Sequence, residues 1–190
     1  MNTQMISFHG QKSIQTKYLN RVSAHREADQ LIQGETGYDG KGCAVWCTLD
    51  AYDHSRYPIE LGIPEWLARL EDHIFEALDV EESRKWPEQF LNAIPIGIPE
   101  SKFNIIRDEF QIFWLERQKT QIDSAKYAQV ALAIDGVIAL LNLAISGSEP
   151  ESAAWSAAES AARSAARSAG YSEAIVKRDW LLSELAKLTP

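Results

Sequence analysis

Apolar residues recur at spacings of three and four along most of the chain, and alternation with period two is scarce, a pattern that predicts an all-α fold. Ile14, Tyr18, Val22, His25, Ala28 and Ile32 share one face of a helix predicted over about 12–33, with Gly34 as its stop. The loop GYDGKG follows, and then a short helix predicted from about Cys43 to Tyr52. DHSRYPIELGIP, 53–64, reads as an irregular connection. Pro64 suits the first turn of the next helix, whose buried stripe is Trp66, Leu67, Leu70, Ile74 and Leu78. A short helix is predicted after Asp79, and a separate one from Pro87 carries Phe90, Leu91 and Ile94. After the break PIGIP, Phe103, Ile106, Phe110 and Phe113 mark a helix to about Lys119. Tyr127, Val130, Ile134, Val137, Leu141 and Ile145 mark a long one that ends at Ser146-Gly147.

The pattern changes over 151–190. SAAWSAAESAARSAARSAGY, 152–171, places serine at every fourth position. Alanine favours helix, and a four-residue repeat drifts by about 40° per step at 3.6 residues per turn, so the serines spiral around the helix. Small side chains on every side would let another helix approach closely. One reading is a low-complexity helix that packs or is solvated, and the sharper one is a helix that builds a homo-oligomer. Trp180, Leu181, Leu185 and Leu188 make a terminal amphipathic helix. The chain is thus expected to divide into a helical core domain, 1–150, and an Ala/Ser segment with its terminal helix, 151–190, as an appendage or packed onto the core.

Length and composition fit a globular chain of 190 residues with 45% hydrophobic residues. The balance of 27 acidic against 19 basic residues, net −8, disfavours nucleic acid as a partner, because that binding rests on neutralising phosphates. The first residues lack a basic segment followed by an apolar run, so no signal peptide is read. The most apolar stretch, 130–145, is short for a membrane span and carries Asp135 and Asn142. A cytoplasmic protein with reduced thiols, without a membrane partner, is expected.

Candidate chemistry gathers around GYDGKGCAVWC. Cys43 at a helix start would meet unpaired N–H groups, with Gly42 and Lys41 before it, and both the dipole and the lysine favour a thiolate nucleophile. Cys47, four residues on, shares its helical face. The pair reads as metal ligands, as a redox pair, or as two small buried residues. Among the four histidines, His25 lies on the apolar stripe of the first helix with Asp29 one turn later, where a carboxylate can fix the imidazole tautomer. Tyr18 and Arg21 sit on preceding turns of that side, so the cluster is either a structural network or the polar wall of a site. His54 lies in a segment able to fold back over the cysteines, His9 precedes the first helix, and His73 is expected to be partly exposed.

FHGQKSIQTKYLNRVSAHREAD, GKGCAVWCTL, ELGIPEWLARLEDHIFEAL and WPEQFLNAIP resemble a family of small proteins encoded in bacterial and phage genomes, many with a similar SAAW/SAAR tail. The resemblance covers most of 8–96 and the tail and carries no catalytic roles. Trp46 stands where the family pattern GCAVGC has glycine. The phage association implies a host-interaction or anti-defence role.

Two functional expectations follow. One is a small-molecule-binding or catalytic site. In its enzymatic form Cys43 is the nucleophile, His25 the base and Asp29 the orienting group, with Tyr18, Arg21, Lys41, Gly42 and His54 binding the ligand. In its metal form Cys43, Cys47, His54 and either His25 or His9 close a zinc site. The other is a non-catalytic interaction protein with a protein partner, in which the polar cluster is structural.

Overall fold

The computed structural model describes residues 5–121, 128–148 and 174–190. Among these the fold is all-α: eight α-helices, with only isolated bridges of extended backbone. The helices are α1 (Lys12–Glu27), α2 (Ala44–Leu49), α3 (Arg56–Glu60), α4 (Glu65–Ala77), α5 (Val80–Ala93), α6 (Glu100–Gln121), α7 (Ala128–Ile145) and α8 (Ala174–Leu185). None of the described helices is long and apolar enough to cross a membrane.

The chain forms two compact units, Met1–Phe103 with Glu173–Pro190, and Asn104–Ser172. The terminal helix α8 belongs with the first hundred residues because its apolar side needs the cover that α4 and α5 provide. Leu181 and Leu185 are fully buried, and Arg178 reaches Glu82 on α5 at 2.5 Å. In the second unit, Val137 and Leu141 of α7 are covered by Ile112, Leu115 and Leu140, and Lys119 pairs with Asp135 at 2.5 Å. The Ala/Ser repeat, read above as a helix and a candidate oligomer surface, lies outside the described residues, as does Tyr127.

In the first unit α1 packs on α5 and α2, and α4 packs on α5, α2 and α3. Helix α1 stops at Glu27, well before the predicted end. Asp29 turns into the left-handed region at φ 56°, and the Gln30 amide closes on the His25 carbonyl at 2.9 Å. The chain then leaves as extended backbone: Ile32 donates its amide to Gly42 and Gly42 donates its amide to Gln30. Apolar Ile32 therefore matched the helical spacing while serving a bridge.

Helix α5 runs unbroken across Pro87, where two helices were predicted. Asp79 caps it by accepting the Glu82 amide at 2.9 Å. Proline inside a helix costs about 3 kcal/mol, and here Trp86, Phe90 and Leu91, all fully buried, supply offsetting contacts. Helix α3 is one turn inside the segment read as irregular, with Pro58 in its first turn, where a missing amide is harmless. The N-terminal strap closes over α3 at Gly62, whose φ is +63° and whose imagined Cβ would lie 1.9 Å from the Ile6 carbonyl oxygen. Ser7 ties the same strap to the far turn: its hydroxyl donates to the Pro95 carbonyl at 2.6 Å and accepts the Ile98 amide at 2.8 Å.

Candidate functional site

The buried face of α4 comprises Leu67, Ala68, Glu71, Asp72, Ile74 and Phe75, so two adjacent carboxylates point inward. Glu71 is completely buried. Its Oε2 accepts the hydroxyl of equally buried Tyr57 at 2.5 Å, and its Oε1 has no hydrogen-bond partner. Burial pushes the Glu71 carboxyl up to about 8; the Tyr57 hydrogen bond pulls it down and Asp72 adds to the rise. Tyr57 is itself pushed well up, by burial first and then by Glu71.

Asp72 stands one position on, 8% exposed. Its Oδ2 accepts from His54 Nε2 at 3.1 Å and from the Tyr52 hydroxyl at 3.2 Å. A carboxylate only accepts, so Nε2 of His54 carries the proton. The rings of Tyr52 and His54 meet edge to face, 5.0 Å apart. Oδ1 of Asp72 is buried and has no hydrogen-bond partner.

Cys43 reaches this carboxylate from the start of α2. The loop before it turns tightly at Asp39 and Gly40, both at positive φ, with Tyr38 and Lys41 paired across the turn. Gly37 is obligatory there, because a Cβ would fall 2.0 Å from the Trp46 ring. The returning chain is held by the Cys43 amide donating to the Glu35 carbonyl at 2.9 Å. The Cys43 sulfur and carboxylate oxygens of Asp72 and Glu76 all lie within 4.8 Å of one another. Glu76, one turn beyond Asp72 on α4, is exposed and accepts the Gly34 amide at 2.7 Å. Burial, with Asp72 in support, pushes the Glu76 carboxyl up against the pull of that amide.

The residues singled out by sequence meet different fates. His25 and Asp29 do not pair: α1 has ended before Asp29, which is turned outward to Arg84 at 2.7 Å. His25 instead places Nδ1 2.7 Å from Gln30 Oε1, sets Nε2 3.5 Å from Asp50, and meets Trp46 edge to face. Tyr18 donates to Glu60 at 2.5 Å, and Arg21 donates to the Thr48 carbonyl and pairs with Asp50. Tyr18, Arg21 and His25 thus find their partners within the fold. Lys41 is exposed in the turn, and Gly42 serves the backbone bridge. His9 lies against the Ile59 carbonyl at 3.0 Å. His73, exposed as expected, accepts from Lys177 at 3.0 Å.

The expected tetrad of Cys43, Cys47, His54 and His25 is not assembled. Cys47 directs its thiol to the carbonyls of Gly42 at 3.5 Å and Gln30 at 3.7 Å. The imidazoles of His25 and His54 are engaged as described above. Nor is Cys43 a ready thiolate. It precedes α2 as predicted, but it is 1% exposed. Loss of water pushes its thiol far up, outweighing the Trp46 and Val45 amides that favour the thiolate, and Asp72 adds to the rise. Burial likewise pushes Cys47 up to about 12. The expected lowering of the Cys43 pKa is therefore reversed by desolvation.

Sequence reasoning missed Glu71, Asp72, Glu76, Tyr52 and Tyr57. One signal was available: Glu71 lies four residues after Leu67 and four before Phe75, in the middle of an apolar stripe, where a carboxylate needs a reason. Comparison of the chain with family models finds no match, and comparisons with curated proteins and with solved structures find none either.

Proposed function

We propose that the protein binds a divalent transition-metal ion of the zinc class through Cys43, Asp72 and Glu76. The observation that carries this reading is Asp72 Oδ1, a buried carboxylate oxygen without a hydrogen-bond partner in the same cluster as a thiol and a second carboxylate. Leaving such an atom unsatisfied costs about 1–3 kcal/mol, and more when it is charged. A cation removes that cost. Sulfur and carboxylate donors suit zinc and its neighbours, and binding would take the proton from Cys43. His54 supplies the outer support such ligands use, holding Asp72 Oδ2 so that Oδ1 stays directed. Three protein ligands leave a coordination position open, the arrangement of zinc sites that polarise a substrate or activate water.

The same geometry speaks against the cysteine-nucleophile reading. Burial holds the Cys43 thiol protonated, and His25, the expected base, faces Gln30 and Asp50. The test is metal content of protein purified without chelator, followed by cobalt substitution. About one ion per chain is expected, with a thiolate-to-cobalt absorption band that Cys43→Ser abolishes and Asp72→Asn weakens. A chain that retains no zinc and gives no cobalt band would overturn the proposal and return the cluster to the non-catalytic interaction protein.

A further inference from the structure

We infer that Tyr52 is the gate of the metal site, a phenol cap that must swing away for the ion to enter or leave. The inference rests on the metal-binding reading above and concerns how the site is reached. Cys43 and Asp72 are buried at 1% and 8% exposure, so neither can be approached directly from water. Two members of the surrounding group do reach solvent, Glu76 and Tyr52, the latter 47% exposed. Glu76 is anchored by the Gly34 amide. Tyr52 has its hydroxyl on Asp72 Oδ2 and its ring edge on His54. One side chain thus touches the ligand Asp72 and its outer support His54 while about half of it stands in water.

The bond from Tyr52 to Asp72 is compatible with the ion present or absent, because it uses Oδ2 and leaves Oδ1 free. A closure available in both states slows entry and exit equally and leaves the affinity unchanged. A ligating phenol would do the opposite: its removal would weaken binding by speeding release alone. The ring contact with His54 adds to the closed position, so a phenylalanine should open the gate partly and an alanine fully.

The experiment uses the full chain loaded with zinc, wild type and the variants Tyr52→Phe and Tyr52→Ala, with folding checked by circular dichroism. Release into excess chromophoric chelator and uptake of free zinc are followed by stopped flow, and stoichiometry is measured separately. A charge-assisted hydrogen bond contributes about 1.5–3 kcal/mol, so Tyr52→Phe should accelerate both directions by about tenfold or more, and Tyr52→Ala further, at unchanged stoichiometry and near-constant Kd. Unchanged rates with zinc still bound would overturn the gate and spare the metal site. Faster release with unaltered uptake would make Tyr52 a ligand and also overturn the gate. A wild-type chain that binds no zinc would overturn both.

Discussion

The hydroxyl of Tyr57 donates to Glu71 across 2.5 Å with both side chains completely buried, joining α3 to α4. The Glu71 carboxyl titrates at about 8 in the folded chain, against an ordinary value near 4.5. Between these values the native chain holds a proton that the unfolded chain has released. Stability is fully present below about 4.5, falls as pH rises through the window, and levels off above about 8. The steepest loss is about 1.4 kcal/mol per pH unit. Glu71→Gln keeps an acceptor for Tyr57 and cannot ionise, so in chelator it should be the more stable chain at pH 8. Urea midpoints across pH decide it; parallel curves for the two proteins would count against the assignment.

Both cysteines should be silent toward a thiol reagent in the native state. Burial holds each thiol protonated, so the alkylation rate of Cys43 should show no plateau near neutral pH. Both should react at once on unfolding. Site-resolved mass spectrometry after a short pulse of reagent makes the measurement, and rapid native labelling of Cys43 would contradict the burial described here.

Two glycines separate backbone strain from collision. Gly62 combines φ +63° with a carbonyl oxygen 1.9 Å from an imagined Cβ, whereas Gly97, at φ +83°, has open space. Gly62→Ala should cost more than about 2 kcal/mol, and Gly97→Ala about 1 kcal/mol, the strain alone. Equal midpoint shifts in denaturant would refute the close approach of the N-terminal strap.

Leu181 should matter as a core residue. Leu181→Ala should destabilise the first unit by about 2–5 kcal/mol, while Ile59→Ala, at an exposed position, should stay within about 0.5 kcal/mol. Chemical denaturation followed by the fluorescence of buried Trp86, on protein in which the other tryptophans are replaced by phenylalanine, reports the difference. A neutral Leu181→Ala would mean that α8 is an appendage after all.

The helices were legible because their apolar residues bury one face, as in the Phe103–Ile106 and Val137–Leu141 pairs. Their ends were less so. Ala28 and Ile32 extend the period of α1, but the bridge to Gly42 decides where the backbone goes, and that partner is ten residues away in sequence. Pro87 was read by its local cost, which the packing of Trp86 and Phe90 overrides. Cys43 was placed correctly in the chain and wrongly in its chemistry, since the gain from nearby amides is local while desolvation is set by the whole fold. Asp72 escaped notice because Glu71 and Asp72, beside His73, look like a solvated helix edge, and only the docking of α2 against α4 turns Asp72 inward.

The first unit is written in two pieces, with 104–172 spelled between them. A ribosome therefore delivers α4 and α5 long before α8, the helix that covers them. Until the last turn has cleared the exit tunnel, the surface meant for Leu181 and Leu185 is open to water and to any apolar segment nearby. A chain interrupted before Leu181 would leave that surface uncovered, so the first unit closes only after 104–172 has been made.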